Sequence, residues 1–98
     1  MQIYIGNLNV MTTAHQLANL FLPFGSVRLS RIVCDRKTGR SLGFGFIEMD
    51  PKSAKSAIRK LNRFLFMNSY VEVMPGSLYT GSQIWKVAPF FSPDSAEI

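Results

Sequence analysis

The sequence predicts an α+β domain in which two helices cover one face of a four-stranded antiparallel sheet. Two observations lead to this fold. Apolar residues alternate with other residues in four segments, and they recur at helical spacing in two further segments. The chain has 98 residues, 47% hydrophobic and 17% charged, which is typical of one globular domain rather than a disordered chain.

The first strand and the first helix are predicted in the N-terminal third. Gln2–Leu8 alternates, with Tyr4 on the side opposite two isoleucines. Thr13, with Gln16 three residues later, predicts a helix N-cap with a capping box. The core-facing positions of this helix follow at helical spacing, and they are Leu17, Leu20, Phe21 and Phe24.

A hairpin is predicted next. Val27–Cys34 is rich in β-branched and aliphatic residues and indicates a second strand, and Leu42–Met49 indicates a third. Between them lies DRKTGRS (35–41), a polar and basic connection in which Gly39 is the turning residue. The two strands should therefore be antiparallel neighbours.

The second helix begins at Asp50, a capping carboxylate followed by Pro51 at the first helical position. Its core face consists of Ala54, Ala57, Ile58 and Leu61. Asn62 ends it, Phe64–Phe66 is a candidate short strand, and Tyr70–Met74 is the last main strand. The order β-α-β-β-α-β predicts the ferredoxin-like split arrangement, with both helices on one face.

The segment LGFGFIEM (42–49) places two phenylalanines on one side of the third strand and two glycines on the other. We expect Gly43 and Gly45 to let the helices approach the sheet closely. Tyr4, Phe44 and Phe46 should then project bare from the uncovered face. Three exposed rings on a sheet are unusual unless a partner covers them.

Charge and cysteine content narrow the function class. The net charge is +5, residues 1–27 carry no charged side chain, and nine of the eleven basic residues lie between Arg28 and Lys60. This distribution fits a polyanionic partner, or a solvated cationic surface. A single cysteine, Cys34, fits a reducing compartment, and no segment suggests a signal peptide or a membrane span. We therefore expect a cytoplasmic protein.

Two segments, IYIGNL (3–8) and LGFGFIEM (42–49), resemble the RNP hexamer and octamer of the RNA recognition motif. The resemblance extends over about residues 2–75 and includes the element order, so it implies an RNA recognition motif domain over 1–75. The chain as a whole also resembles the small single-motif RNA-binding proteins of bacteria. A cold-shock β-barrel carries a similar octamer, but there the motif order is reversed and no helices intervene.

The resemblance implies binding of single-stranded RNA, with base or ribose stacking on Tyr4, Phe44 and Phe46 and with phosphate contacts from basic residues. The octamer usually begins with Lys or Arg, whereas this chain has Leu42, and Arg40 or Arg31 could replace the missing cation. The candidate RNA-binding residues are Tyr4, Phe44, Phe46, Arg31, Arg40, Lys37, Arg36, Gln2, Asn7 and Glu72.

Other functions remain open at this stage. A protein-interaction module is the main alternative to RNA binding, and single-stranded DNA is an alternative ligand. Weak self-association could use the uncharged first helix or the aromatic-rich extension 76–98, which could dock on its own domain, cover the sheet or contact a second chain. His15 and Cys34 have no partners at ligand or catalytic spacing. We therefore expect no enzyme, metal or cofactor.

Overall fold

The computed structural model describes residues 1–78 and has the predicted ferredoxin-like order. The elements are β1 (Gln2–Gly6), α1 (Ala14–Phe21), β2 (Leu29–Cys34), β3 (Ser41–Glu48), α2 (Pro51–Leu61), β4 (Leu65–Phe66), β5 (Ser69–Tyr70) and β6 (Glu72–Pro75). The main sheet has the order β2-β3-β1-β6, and its neighbouring strands are antiparallel. Most of the extension predicted over 76–98 lies outside the described residues.

The start of α1 confirms the predicted capping box. The backbone N–H of Gln16 donates to Oγ1 of Thr13 at 3.1 Å, and the Thr13 N–H donates back to Oε1 of Gln16 at 2.9 Å. Leu17 and Phe21 on the inner face are fully buried. The α-helix ends at Phe21, and a 3₁₀ turn containing Pro23 follows. The helix therefore ends slightly earlier than its apolar spacing suggested.

Both predicted ends of α2 are confirmed. The Ser53 N–H donates to Oδ2 of Asp50 at 3.1 Å, and Pro51 occupies the first turn. This hydrogen bond lowers the pKa of Asp50 below its usual value, because it stabilises the charged carboxylate. Asn62 is the C-cap, and its Oδ1 also accepts from the Val73 N–H at 3.0 Å. The end of α2 is thereby tied to β6.

The last main strand begins at Glu72 rather than at the predicted Tyr70. Tyr70 instead pairs with Leu65 in a separate two-stranded hairpin, β4–β5. Its turn residues Met67 and Asn68 have φ of 50° and 65°, the left-handed region that tight hairpin turns require. The candidate short strand Phe64–Phe66 therefore corresponds to β4, the first strand of this hairpin.

One main core lies between the helices and the sheet, as the alternation predicted. Its buried members are Ile3, Ile5, Leu8, Ala14, Leu17, Phe21, Ile32, Ile47, Met49, Ala54, Ala57, Leu61, Val71 and Val73. Every main strand and both helices contribute to this set. Burial of this apolar surface fixes which face of each strand points toward the helices.

The glycines of β3 have a different role from the predicted one. A Cβ at Gly45 would meet the backbone carbonyl of Arg31 on the neighbouring strand β2, not a helix. Gly43 has φ +84°, and its carbonyl accepts from the Leu8 N–H at 2.8 Å. The β2–β3 register shifts just beyond Ile32. These glycines therefore accommodate an irregularity within the sheet, and the expectation of close helix approach is wrong.

Candidate nucleic-acid interface

Three aromatic side chains form one cluster on the sheet face opposite the helices. Tyr4 on β1 is the direct cross-strand partner of Phe46 on β3, and Phe44 lies two residues before Phe46. The ring centroids are 5.9 Å apart for Tyr4–Phe44, 5.9 Å for Tyr4–Phe46 and 6.3 Å for Phe44–Phe46. These separations are typical of interacting aromatic pairs. We call these three residues the aromatic cluster.

The expectation that the rings are bare is wrong. The exposed fractions are 9% for Tyr4, 7% for Phe44 and 6% for Phe46. Val33 and Met74 pack against the rings from the neighbouring strands, and neither was among the predicted site residues. Met74 could have been found from the pairing of the strands, because it lies opposite Tyr4 in β6.

The Tyr4 ring lies against Gly6, which was not among the predicted site residues. A Cβ added at Gly6 would lie 2.5 Å from the Tyr4 hydroxyl and 2.9 Å from two ring carbons. The ring therefore lies over Gly6, along its own strand. This close approach requires the residue without a side chain. The hexamer glycine thus shapes the aromatic cluster.

The predicted cations divide into two groups. Arg31 on β2 is the direct cross-strand partner of Phe46, so it lies beside the aromatic cluster and is half-buried. Arg40 lies in the exposed β2–β3 connection, before the register shift that separates it from the rings. Leu42, at the usual cation position of the octamer, is 38% exposed. Of the two arginines that could replace the cation missing at Leu42, Arg31 is the one that lies beside the rings.

The β2–β3 connection is organised by Asp35. Its carboxylate accepts from the Lys37 N–H and from the Thr38 hydroxyl, both at 3.1 Å. Its backbone carbonyl accepts from the N–H of Gly39, which has φ +75°. The predicted turn at Gly39 is confirmed. The exposed side chains of Arg36, Lys37 and Arg40 project from this ordered turn.

The three remaining residues that were predicted to bind RNA, Gln2, Glu72 and Asn7, differ in exposure and in hydrogen bonding. Gln2 and Glu72 are exposed and share the face of the aromatic cluster, by the alternation of β1 and by the pairing of Glu72 with Gly6. Asn7 has φ +56°, and its Nδ2 donates to the Tyr70 carbonyl at 2.8 Å. The Asn7 side chain therefore anchors the β4–β5 hairpin to the end of β1.

Charge is distributed unevenly around the sheet. Arg28 and Glu48 form an ion pair of 3.9 Å between largely exposed side chains, which contributes little to stability. Lys52, Lys55 and Arg59 are exposed on α2, the layer on the other side of the sheet. Because these three cations lie on the helix side of the sheet, substituting one of them is a charge-matched control for substituting Arg31.

Metal-ligating and thiol side chains of the described residues lie apart from one another. Within residues 1–78 no three His, Cys, Asp or Glu side chains lie close enough to hold a metal ion. Burial raises the pKa of the Cys34 thiol, which disfavours the reactive thiolate at neutral pH. None of the helices in this part of the chain is long and apolar enough to cross a bilayer. The side chains on the sheet face opposite the helices are aromatic rings, hydrogen-bonding groups and a cation, Arg31.

Comparison with known proteins identifies relatives of both sequence and structure. The family model for the RNA recognition motif matches residues 3–72. The chain is 39% identical over 74 residues to the protein named "Putative RNA-binding protein RbpE" from Nostoc sp.. That match covers 74% of this chain and 75% of the relative.

Two solved structures share the fold at appreciable identity. A crystal structure of RNA-binding protein PG1 matches with a TM-score of 0.74 and 41% identity, covering 76% of this chain and 90% of PG1. The structure of the Rna15 RRM with bound RNA (GU) matches with a TM-score of 0.69 and 29% identity. It covers 89% of this chain and 94% of that one.

Proposed function

This chain belongs to the RNA recognition motif family, and on that premise we propose that it binds single-stranded RNA on the sheet face that carries the aromatic cluster. The observation that carries the proposal is the placement of Tyr4, Phe44 and Phe46 on adjacent strands within 6.3 Å of one another. The RNA bound to the related Rna15 domain supports RNA as the ligand class.

Stacking supplies most of the short-range affinity in this proposal. Tyr4 and Phe46 each stack on one base, and Phe44 packs against the ribose between them. A stacked base contributes about 1–3 kcal/mol. Two stacked bases and a few phosphate contacts, after the cost of ordering the RNA, give a dissociation constant on the order of micromolar.

Cations hold the phosphates on either side of the stacked bases. Arg31 replaces the cation that Leu42 does not provide, because Arg31 lies directly across from Phe46. Arg36, Lys37 and Arg40 contact phosphates farther along the strand from the β2–β3 connection. Each phosphate contact contributes about 0.7 to the slope of affinity against salt for a single strand.

Base selection comes from polar groups at the edges of the aromatic cluster. Gln2 and Glu72 lie on the same face as Tyr4 and contact base edges, together with main-chain groups near the end of β6. The Asn7 amide already donates to the Tyr70 carbonyl. Asn7 therefore acts on RNA through the strand-to-loop geometry that it maintains.

The test is a fluorescence-anisotropy titration of the full chain with a short, labelled, mixed-sequence single-stranded RNA at two salt concentrations. The main variant is Phe44→Leu/Phe46→Leu, which removes the ribose-packing ring and one base-stacking ring but keeps apolar side chains in buried positions. The matched control is Phe21→Leu, the same chemical change in the core on the helix side of the sheet. Circular dichroism melting shows how much each variant is destabilised.

We expect the double variant to lose about 5- to 150-fold in affinity, because the base stacked on Phe46 contributes about 1–3 kcal/mol. Phe21→Leu should lower the melting temperature but keep the affinity of the folded protein. Equal weak binding by the wild type and a folded double variant would refute the stacking proposal, and it would direct attention to a protein partner for this face.

A second comparison tests the phosphate contact with charge-matched variants. Arg31→Ala and Lys55→Ala each remove one positive charge, but Lys55 is an exposed residue of α2. Arg31→Ala should reduce the slope of log affinity against log salt by about 0.7, with a smaller change for Lys55→Ala. Equal salt-dependence slopes for the two variants would mean that RNA affinity depends on the net charge of the protein and not on the position of Arg31.

A further inference from the structure

We propose that the RNA path continues beyond the aromatic cluster onto Tyr70, which together with Leu65 forms a further base-stacking site on the β4–β5 hairpin. The ligand is a nucleobase of the same single-stranded RNA, so this inference rests on the proposed function. Both RNP segments end before α2, whereas Tyr70 follows it, so the motif residues do not include this site. The support comes from the exposure of Tyr70, the face to which it points and the anchoring of the hairpin.

Tyr70 has the most exposed aromatic side chain among residues 1–78. Its exposed fraction is 64%, whereas the rings of the aromatic cluster are 6–9% exposed. Leu65, its direct cross-strand partner in the hairpin, is 51% exposed. Directly paired residues project to the same face of a hairpin, and their side chains lie close together. The Tyr70 ring and the Leu65 side chain therefore form an open apolar surface on which a planar base can stack.

The face to which Tyr70 points follows from the residues after it. Val71 and Val73 are buried in the main core, between the helices and the sheet. Met74 packs against the aromatic cluster on the other face. None of residues 69–75 has a positive φ, so the alternation of an extended chain continues from β5 into β6. Tyr70 therefore points to the same face as Met74, which is the face of the aromatic cluster.

The spacing of the two stacking surfaces allows one RNA strand to cross both. Met74 is the Cα partner of Tyr4, and Tyr70 lies four residues before Met74. Four residues of extended chain span roughly 13 Å, at about 3.3 Å per residue. Glu72 is exposed on the same face, midway between Tyr70 and Met74. Because its carboxylate repels phosphates, bases rather than phosphates pass over this point of the path.

Hydrogen bonds anchor the hairpin that carries Tyr70. The Asn7 Nδ2 donates to the Tyr70 carbonyl at 2.8 Å, and the Asn9 Nδ2 donates to the Met67 carbonyl at 2.7 Å. Both asparagines lie between β1 and α1, so they tie the hairpin to the end of the strand that carries Tyr4. A surface that is ordered before binding loses less conformational entropy when its ligand arrives. The Tyr70 surface is therefore preorganised relative to the aromatic cluster.

Arg63 supplies a cation at the base of the same hairpin. Its N–H donates to the Val71 carbonyl at 2.7 Å, so it lies across from the residue that follows Tyr70. The Arg63 side chain is exposed. A guanidinium at this position contacts a phosphate beside the nucleotide that stacks on Tyr70.

Variants of the full chain test the site by fluorescence anisotropy, with labelled single-stranded RNAs of mixed sequence and increasing length. Tyr70→Leu removes the ring, and Tyr70→Phe keeps it. The matched control is Phe64→Leu, which removes another exposed ring of the same part of the chain. Phe64 precedes Leu65 directly, so alternation places it on the opposite face. Circular dichroism melting shows how much each variant is destabilised.

We expect the affinity of the wild type to rise in a step at the RNA length that first reaches Tyr70. Tyr70→Leu should remove this step and weaken binding of the longer RNAs by about 5- to 150-fold, the contribution of one stacked base. Tyr70→Phe and Phe64→Leu should keep the step. Equal affinities of Tyr70→Leu and the wild type at every RNA length would overturn the inference and would favour a protein partner for this surface.

NMR of the tyrosine rings locates the contact in the wild-type chain. The chain has three tyrosines, so selective labelling gives few ring signals, and Tyr70→Phe identifies the signal of Tyr70. An RNA too short to show the affinity step should shift the Tyr4 signal and leave that of Tyr70 unchanged. A longer RNA should shift both signals. A Tyr70 signal that stays unchanged at saturation with the longer RNA would overturn the inference.

The further site and the proposed function fail in distinguishable ways. Absence of RNA binding by the wild type would refute the proposed function and, with it, the further site. Binding that is weakened by Phe44→Leu/Phe46→Leu but not by Tyr70→Leu would keep the proposed function and refute the further site. Binding that is weakened by both, with loss of the length step only in Tyr70→Leu, supports the two together.

Discussion

Replacing Gly6 with alanine is expected to weaken RNA binding by displacing Tyr4, while the fold stays nearly as stable. The added Cβ would lie 2.9 Å from two carbons of the Tyr4 ring. Carbon atoms in contact are about 3.5–4.0 Å apart, so the ring must withdraw by roughly 0.6–1.1 Å. The obstacle is the far end of a side chain rather than backbone, and the ring can therefore move without disrupting β1.

The size of the effect follows from the displacement. A gap of about 0.5–1 Å loses about a quarter to a half of the dispersion attraction between two surfaces. Applied to a stacked base worth about 1–3 kcal/mol, the loss is about 0.3–1.5 kcal/mol. The dissociation constant should rise by about 2- to 12-fold. Stability should change by less than about 1 kcal/mol, because an off-rotamer cost of this order is offset by the gain of Gly→Ala in the unfolded chain.

A double-mutant cycle isolates this mechanism. The affinities of the wild type, Gly6→Ala, Tyr4→Leu and the combined variant are measured by RNA anisotropy, and their stabilities by urea unfolding. Gly6→Ala should weaken binding only when Tyr4 is present. An equal loss in the Tyr4→Leu background, or no loss in either, would show that Gly6 does not act through the ring.

Three further predictions concern stability and reactivity. Gly45→Ala should destabilise the protein by about 1–3 kcal/mol in urea unfolding, because the new Cβ meets the Arg31 backbone carbonyl; an unchanged midpoint would contradict this contact. Asp50 has a lowered pKa in the folded protein, so its charge stabilises the fold above the unfolded pKa, and this contribution is lost as the pH falls through the folded pKa. The melting-temperature difference between wild type and Asp50→Asn should therefore be largest near neutral pH and shrink toward acid pH, whereas a constant difference would count against the Ser53 hydrogen bond as its cause. Cys34 should react with iodoacetamide more slowly in the folded than in the urea-unfolded protein at pH 8, because burial raises its pKa, and equal rates would contradict that burial.

Short sequence patterns predicted where the helices begin, because a helix cap is formed by residues that are close together in the sequence. The Thr13–Gln16 capping box and the Asp50 cap each depend on residues three apart, and both are present. The hairpin β4–β5 was predicted only in part, because Met67 and Asn68 carry a weak turn signal and their positive φ values are visible only in three dimensions. The last main strand begins at Glu72 and not at the predicted Tyr70 for the same reason, because Tyr70 belongs to this hairpin.

The sequence by itself determined the order of the elements, the face of each strand that meets the helices, and the placement of Tyr4, Phe44 and Phe46 together on the other face. Periodicity is sufficient for this, because side-chain direction follows from local backbone geometry. Only the tertiary structure decided the relations between strands. The irregular β2–β3 register, the position of Arg31 beside Phe46 and the low exposure of the rings depend on which segments meet in space, and residue spacing along the chain does not specify those contacts.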